Sequence, residues 1–306
     1  MTVHQNISDM GRTRLAVLMT CHNRKHHTLA CLSALKAQTQ CSDLKLDTYL
    51  VDDGSRDGTG AGVRERYPDV HVIPGNGSLF WNGGMRLAWR EARKKPYDFV
   101  LWLNDDTHLY PTTLRNMLDT YAEVRAKRNK DIVIAGSTLD PHSSVHTYGG
   151  LARPSCFNPM NFVLLPPASK PRECYTIHGN CVLIPYRIAR AVGGLSTTFT
   201  HGLGDYDYGL RVRKEGFECW LAPGYAGTCA AHKVVGSQYD RSLSIARRIQ
   251  KMQRPTGLPP PREWMAFTFR HAGFMWPAYW LRTLVRVTCP RLWLFVRRKA
   301  SDQAYV

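Results

Sequence analysis

The sequence has no long apolar run, and this absence narrows the classes of protein to consider. No stretch reaches the 18 or so uncharged apolar residues that a membrane-spanning helix needs. The opening stretch, MTVHQNISDMGRTR, lacks the apolar core of a secretory signal peptide. We therefore expect a cytoplasmic protein without a spanning helix.

Cysteine pairs with the spacing of a zinc site or a redox motif are also missing. The nine cysteines are spread along the chain, and none of them forms a CxxC pair. An odd number of cysteines without a leader is typical of reduced thiols in the cytoplasm. The glycine-rich stretch 75–89 is not a GxGxxG fingerprint, so a dinucleotide site is not expected.

Acidic residues are scarce near the C-terminus, and the formal net charge of the whole chain is +17. Residues 241–306 contain 13 Lys or Arg and only 2 Asp or Glu, which accounts for most of that excess. Within 270–299 the basic residues are mixed with tryptophan, leucine and phenylalanine, which suits a membrane interface. The alternative is a helix that packs on the rest of the chain or on a second subunit of a homo-oligomer.

Short apolar runs alternate with amphipathic stretches over the first 130 residues. Strands that alternate with helices predict a parallel, doubly wound α/β sheet. The less regular second part contains further strand and helix signals. The predicted strands are 15–19, 48–51, 70–73, 99–103, 131–135 and 181–184, and the predicted helices are 27–38, 59–67, 83–95, 111–128 and 205–215.

Polar side chains follow four of the predicted strands. In parallel sheets, ligands bind beyond the carboxyl ends of the strands, where the loops emerge. Folding alone does not explain four strand ends that deliver polar side chains to one edge. The groups are Cys21 to Arg24, Asp52 to Ser55, Asn76, and Asn104 to Asp106.

Asp105 and Asp106 are adjacent carboxylates directly after the apolar run 99–103. Two like charges at the end of a buried strand are costly unless a cation neutralises them. Carboxylate oxygens suit Mg²⁺ or Mn²⁺, and a metal ion that carries a substrate diphosphate would neutralise both. The alternative is a cap on the helix that begins near Pro111, but a cap needs only one acidic residue. We favour the metal site.

Further carboxylates lie in two other loops. Asp53, in VDDGSRDGT, is suited to accept a hydrogen bond from a nucleobase imide N–H. The alternative is that the aspartates of this motif only stabilise the turn, and for Asp57 we prefer that interpretation. Asp205 and Asp207 lie at the mouth of a predicted helix, where they oppose its dipole. A carboxylate in a cleft also acts as a general base toward a hydroxyl group. The two aspartates are expected to divide these roles, one facing the cleft and one the scaffold.

Five motifs, taken in order, resemble the family 2 inverting glycosyltransferases. The resemblance runs from about Leu15 to Cys229 and is closest to the bacterial rhamnosyltransferase-like branch, which builds surface polysaccharides. It implies a GT-A fold: a Rossmann-like, mostly parallel sheet flanked by helices, here with a C-terminal basic, aromatic-rich helical extension. The motifs are VLMTCHNRKHHTLACLSAL, VDDGSRDGT, WLNDDT, HGNCVLIP and GLGDYDYGLRVRKEGFECWLAPG.

The resemblance implies a donor site for a nucleotide sugar. Asp53 would contact the pyrimidine base, in a pocket lined by residues of the first strand end, and Asp105 would lie near the ribose or the sugar. The residues assigned to donor binding are Cys21, Asn23, Arg24, Asp53, Asn82, Gly83, Asp105 and Asp207.

The resemblance also implies a metal ion and a catalytic base. Asp106 matches the metal-binding carboxylate, and the cofactor would be Mg²⁺ or Mn²⁺, which stabilises the leaving diphosphate as a Lewis acid. Asp205 matches the base that takes the proton of the acceptor hydroxyl. Many relatives carry a metal-ligating histidine further on, where this chain reads APGYAGTCAAHK. Cys229 stands near the expected position, and we assign His232, three residues later, as the second metal ligand.

These expectations define two units and one reaction. The GT-A domain would span 12–240, with a donor half over 12–130 and an acceptor half over 131–240, and the extension would span 241–306. The enzyme would transfer a sugar, first candidate L-rhamnose, from a dTDP- or UDP-linked donor to a lipid-linked glycan at the inner face of the cytoplasmic membrane. The alternatives are a sugar nucleotidyltransferase, for which Arg24-Lys25 is a faint phosphate-gripping motif, and a basic nucleic-acid-binding protein.

Overall fold

The computed structural model describes residues 12–231, 236–238, 240 and 242–297. Its strands are β1 Thr13–Cys21, β2 Leu44–Asp52, β3 His71–Pro74, β4 Phe99–Leu103, β5 His108–Leu109, β6 Ile132–Leu139, β7 His146–Tyr148, β8 Gly150–Ala152, β9 Val163–Leu164, β10 Arg172–Cys174, β11 Thr176–Ile177, β12 Cys181–Pro185 and β13 Glu218–Thr228. Its helices are α1 Lys25–Lys36, α2 Thr59–Arg66, α3 Phe80–Ala92, α4 Thr113–Arg128, α5 Tyr186–Val192, α6 Gly204–Lys214, α7 Ile245–Met252, α8 Pro261–His271, α9 Trp276–Thr288 and α10 Pro290–Arg297, with a 3₁₀ turn at Gly273–Met275.

The main sheet has the strand order β10-β13-β6-β12-β4-β1-β2-β3, with β5 paired to β13 and β7 to β6. Strands β4, β1, β2 and β3 run parallel, as do β6 and β13, while β12 and β10 run antiparallel to their neighbours. A small second sheet contains β11, β8 and β9. The predicted α/β fold with a mostly parallel sheet is confirmed.

Helices cover both faces of the main sheet, and each face has its own apolar core. Alternate residues of β1 enter the two cores, so Leu18 packs on the side of α3, whereas Leu15 packs on the side of α1 and α4. Gly84 of α3 lies so close to β1 that a side chain there would overlap the Thr20 hydroxyl. This close approach fixes α3, and the loop before it, against the carboxyl end of the sheet.

The basic extension contacts the sheet domain through α8. Phe267 of α8 is 1% exposed and packs edge-to-face on Phe199. The next helix, α9, is held on α8 by the indole N–H of Trp264, which donates to the carbonyl of Tyr279 at 3.0 Å. The first part of 241–306 is therefore joined to the domain core. Over the residues given above, no helix has both the length and the apolar character to cross a bilayer.

Candidate active site

The carboxyl ends of β1 and β4 meet at one point of the sheet edge. Arg24, in the turn after β1, donates to Asp105 Oδ1 at 3.1 Å and to Asp106 Oδ2 at 2.7 Å. Thr28, one turn into α1, donates to the other Asp105 oxygen at 3.3 Å. The acidic pair therefore has a cationic partner within the chain, supplied by a residue that the sequence had assigned to a nucleobase pocket.

The electrostatics of this cluster follow from burial. Burial raises the pKa of Asp105 to about 7, although the charge of Arg24 opposes that shift. Burial alone would lower the pKa of Arg24, but the charges of Asp105 and Asp106 raise it above its ordinary value. Asp105 is only 4% exposed, while Asp106 stays partly open to the cleft. Asp106 is therefore the carboxylate of the pair that a ligand reaches.

The acidic pair fits a divalent cation that arrives together with a diphosphate. Among the residues that the structure covers, no three His, Cys, Asp or Glu side chains gather into a complete metal cage. Mg²⁺ does not need one, because it is usually held by one or two carboxylates together with substrate phosphates. The guanidinium that lies against both carboxylates demonstrates that this position attracts positive charge.

Cys229 contacts Asp106 directly after β13. Its S–H donates to Asp106 Oδ1 at 3.5 Å, and its sulfur accepts from the Asn180 side-chain amide at 3.4 Å. Burial, reinforced by the charge of Asp106, raises the thiol pKa to about 12, so the thiol is protonated at neutral pH. The structure thus places Cys229 at the acidic pair, near the position where the sequence resemblance implies a metal-ligating histidine. His232 lies outside the described residues, and its assignment as a metal ligand stays a prediction.

Asp53 organises the loop that enters α3. Its carboxylate accepts backbone N–H groups from Gly77 at 2.8 Å, Leu79 at 2.9 Å and Phe80 at 3.0 Å. A carboxylate has about four acceptor positions, so one is left for a nucleobase imide. Because Asp53 is 4% exposed, the loop contacts dominate its environment. Its role as a base ligand stays a prediction.

Two other residues of the predicted base pocket differ in position. Asn23 is exposed, and its side-chain oxygen accepts the Arg56 backbone N–H at 2.7 Å, which ties the β1 and β2 loops together. Cys21 instead faces the apolar core, is 3% exposed, and has a pKa raised by burial. The donor contact assigned to Cys21 stays a prediction.

Asn82 and Gly83, which the sequence assigned to donor binding, are both buried within α3, and their donor contacts stay predictions. Asn82 is 0% exposed, and its amide donates to the His201 carbonyl at 3.1 Å. A side chain at Gly204 would overlap the Asn82 amide, so only glycine fits there. Asn82 therefore holds the loop before α6.

Asp205 is held at the first turn of α6 by two backbone donors. Gly179 N–H donates to Oδ2 at 3.0 Å, and Tyr206 N–H donates to Oδ1 at 2.9 Å. Burial raises the Asp205 pKa to about 6, while these hydrogen bonds limit the shift. The carboxylate is partly exposed and has no ion-pair partner among the described residues. It has the environment expected of a general base that works near neutral pH.

Asp207 faces the scaffold and not the cleft. Its fully buried carboxylate pairs with Arg211 at 2.8 Å, Arg270 at 3.2 Å and His271 at 2.9 Å. Burial would raise its pKa, but the hydrogen bond from His271 and the charge of Arg211 lower it below the ordinary value. Arg211, Arg270 and His271 enclose the Asp207 carboxylate, so it faces the scaffold, and the donor contact assigned to Asp207 stays a prediction.

Trp81 is a site residue that the sequence did not reveal. Its indole N–H donates to Asn104 Oδ1 at 2.6 Å, next to the acidic pair. Its ring also packs so closely on Gly179 that a side chain there would overlap it, and Gly179 holds Asp205. Trp81 thereby connects the acidic pair with the proposed base. A single aromatic residue in a glycine-rich stretch gives no spacing signal for such contacts.

Comparisons with known proteins agree with this architecture. The crystal structure of S. aureus TarS 1-349 superposes with a TM-score of 0.52 at 13% sequence identity, over 72% of this chain and 60% of that chain. At that identity the likeness shows the fold alone, which is the GT-A fold, and this chain spans 60% of the TarS structure. A search of the curated proteins gave no match. The family profile described as Glycosyl transferase family 2 matches residues 16–192, more than half of the chain, and the protein therefore belongs to glycosyl transferase family 2.

Proposed function

We propose that the protein is an inverting glycosyltransferase that uses a pyrimidine nucleotide sugar and a divalent metal ion. The observation that carries the proposal is that Trp81 lies between Asp106 and Asp205. Its indole contacts Asn104 beside the acidic pair, and its ring packs on Gly179, which holds Asp205. A partly exposed carboxylate at the acidic pair and a partly exposed carboxylate of raised pKa lie on either side of one tryptophan. Donor activation on one side and base catalysis on the other is the arrangement that glycosyl transfer requires.

Each residue has a defined task in this reaction. Asp106, with Cys229 and Arg24 beside it, would hold the Mg²⁺ or Mn²⁺ ion, which supplies Lewis-acid stabilisation of the departing nucleoside diphosphate. Asp205 accepts the proton of the acceptor hydroxyl. At the same time the oxygen of that hydroxyl bonds to the anomeric carbon of the donor sugar, and the bond from that carbon to the diphosphate breaks. Attack from the side opposite the diphosphate inverts the anomeric configuration.

We propose L-rhamnose from dTDP-rhamnose as the first candidate donor, and a lipid-linked glycan of surface polysaccharide biosynthesis as the acceptor. The resemblance of the five motifs to the rhamnosyltransferase-like branch supports the donor. The basic extension with exposed Phe274 and Leu281 supports an acceptor at an anionic membrane surface. The enzyme would then work as a peripheral protein on the inner face of the cytoplasmic membrane.

The test is nucleotide release from a panel of dTDP-rhamnose, UDP-glucose, UDP-galactose, UDP-N-acetylglucosamine and GDP-mannose with Mg²⁺ or Mn²⁺. Release of dTDP or UDP supports the proposal, whereas turnover of GDP-mannose alone contradicts the pyrimidine assignment. Formation of a nucleotide sugar from a sugar 1-phosphate and a nucleoside triphosphate would indicate the nucleotidyltransferase alternative. Salt-sensitive DNA binding without turnover of any sugar donor would indicate the nucleic-acid alternative.

A further inference from the structure

Three rings lie beside Asp205 that the reaction described above does not use. They are Tyr148 at the end of β7, His178 just after β11 and Tyr206 in the first turn of α6. The His178 ring is 5.4 Å, centroid to centroid, from the ring of Tyr148 and also from that of Tyr206. Tyr148, His178 and Tyr206 are each partly exposed, so the three rings form an aromatic cluster that solvent reaches.

The hydrogen bonds of His178 define its tautomer. The Gly149 backbone N–H donates to Nδ1 at 3.3 Å, so this ring nitrogen is an acceptor without a hydrogen. In the neutral imidazole the hydrogen is then on Nε2, which lies 3.0 Å from the Tyr206 hydroxyl oxygen. His178 therefore donates to Tyr206, and the hydroxyl hydrogen of Tyr206 remains available for a different acceptor.

The two segments that carry this pair also hold the base. Tyr206 N–H donates to one oxygen of Asp205, and the N–H of Gly179, the residue after His178, donates to the other. Movement of the His178–Tyr206 pair would therefore move Asp205 as well. The Tyr206 hydroxyl is thus held by His178 and is carried by the residue whose backbone N–H positions Asp205.

We propose that Tyr206 binds the acceptor sugar by donating its hydroxyl hydrogen to an oxygen of that sugar, and that His178 is the positioning residue that orients it. This inference rests on the proposed function and names the part of the site that recognises the acceptor. The partner is a pyranose with an oxygen next to the hydroxyl that attacks the donor. A site that hydrogen-bonds a substrate hydroxyl rejects molecules that lack it, so Tyr206 would favour a sugar over water.

The test compares Tyr206→Phe with a matched change on the same helix. Tyr208→Phe removes a buried hydroxyl that has no hydrogen-bond partner among the described residues, so it controls for loss of the oxygen itself. The acceptor probes are the octyl β-glycosides of glucose, galactose and N-acetylglucosamine, and the measurement is nucleotide release with and without each glycoside. Thermal unfolding of each variant checks that it is folded.

We expect Tyr206→Phe to raise the KM of the stimulating glycoside about tenfold, since one hydrogen bond is lost. The donor KM should stay within about twofold of the wild-type value, and release of nucleotide to water should fall less than transfer to the glycoside. His178→Phe should also raise the glycoside KM, whereas Tyr208→Phe should leave it unchanged. A ¹⁵N-correlated NMR spectrum should show His178 as the neutral tautomer with hydrogen on Nε2.

Four results would overturn the assignment of Tyr206. They are an unchanged glycoside KM in Tyr206→Phe, an equal loss of transfer to glycoside and to water, a tautomer with hydrogen on Nδ1, and a wild-type enzyme that turns over a donor but responds to no glycoside. Failure of the proposed function looks different, because the wild-type enzyme then releases no nucleotide from any sugar donor.

Discussion

At the scale of single residues, the cleft is lined by backbone in uncommon conformations. Asn23, Phe80 and Leu203 have φ values of 52°, 53° and 66°, in the left-handed region that side chains rarely adopt. Each lies within two residues of a site residue, namely Arg24, Trp81 or Asp205. Such conformations cost about 1–3 kcal/mol each and persist where surrounding contacts enforce them. At two of them such contacts are present: Asn23 accepts the Arg56 N–H, and the Phe80 N–H donates to Asp53.

Asp205 is expected to control the reaction rate through its protonation. Asp205→Asn should lower kcat by about 10²–10⁴-fold with little change in donor binding, because it removes only the general base. Since burial raises its pKa to about 6, the wild-type kcat/KM should fall roughly tenfold per pH unit below that value. Steady-state kinetics between pH 5 and pH 8 measure both effects.

Two variants make the assignment of this pH dependence specific. The residual activity of Asp205→Asn should show no such dependence, because the titrating group is gone. Asp105→Asn should retain it, although burial also raises the pKa of Asp105. If the fall of kcat/KM at low pH disappears in Asp105→Asn and survives in Asp205→Asn, the base has been assigned to the wrong carboxylate.

Asp106 is expected to be the main metal ligand from the protein. Asp106→Asn should abolish transfer and weaken Mn²⁺ binding in the presence of UDP at least tenfold, with an unchanged fold, because the partly exposed carboxylate supplies the anionic oxygen. Electron paramagnetic resonance of free Mn²⁺ measures the binding without any need for turnover. Asp119→Asn, an exposed carboxylate on α4, is the matched control and should bind like the wild type. Wild-type Mn²⁺ affinity in Asp106→Asn would disprove the metal assignment.

At the scale of secondary-structure elements, helix α8 belongs to the catalytic domain. Glu263 of α8 accepts the backbone N–H and the hydroxyl of Thr200, in the loop that leads to α6. Arg270 donates to Thr198 in the same loop at 2.8 Å and also pairs with Asp207. The loop before the proposed base is therefore held by a helix from the basic extension. A truncation at Arg254 would remove this support together with the rest of the extension.

Asp207 is expected to stabilise the fold and not to take part in the chemistry. Asp207→Ala should lower the free energy of unfolding by about 3–5 kcal/mol, because Arg211 and Arg270 would lose a buried counter-charge and His271 would lose a hydrogen-bond partner. Since the folded pKa of Asp207 lies below its ordinary value, this stabilisation is present above about pH 4 and is lost as the pH falls through the folded pKa. Urea unfolding of the wild type and of Asp207→Ala, at pH 7 and at lower pH, measures the loss of unfolding free energy and its pH dependence.

The matched control is Glu173→Ala, which breaks the largely exposed pair of Glu173 with Arg213. This variant should lose less than about 1 kcal/mol. Equal unfolding free energies for the two variants would mean that the network around Asp207 does not hold α8 on the domain.

The sequence predicted elements better than it predicted contacts between them. Strand β4 has the predicted bounds, because an apolar run ended by polar residues marks a buried strand and its end. The partners of Asp105 and Asp207 were not predictable, since Arg24 lies 81 residues from Asp105 and His271 lies 64 residues from Asp207. No periodicity encodes such pairs, which form only once the sheet and the extension are packed. The same holds for Asn82, whose burial in α3 depends on the loop around His201.

At the scale of the whole molecule, the charge and the exposed apolar groups coincide in the extension. Phe274, Leu281 and Phe295 are 94%, 52% and 60% exposed, and Arg282 and Arg291 lie exposed among them. Since α8 is anchored to the domain near Asp205, a surface that binds α9 and α10 would also hold the cleft close to that surface. Binding to an anionic membrane would then raise the local concentration of a lipid-linked acceptor.

The membrane proposal is best tested by point variants, because a truncation would also disturb α8. Arg282→Gln with Arg291→Gln should weaken binding to phosphatidylglycerol-containing vesicles about 10–30-fold, since each basic residue contributes about 1 kcal/mol at an anionic surface. Phe274→Ser with Leu281→Ser should weaken it further by removing apolar groups from the interface. Vesicle co-sedimentation measures the binding, with pure phosphatidylcholine as the neutral reference. Val145→Ser, an exposed apolar residue between β6 and β7, is the control and should bind like the wild type. If both double variants bind the anionic vesicles as tightly as the control, the exposed face of α9 and α10 serves a protein contact and the membrane assignment is wrong.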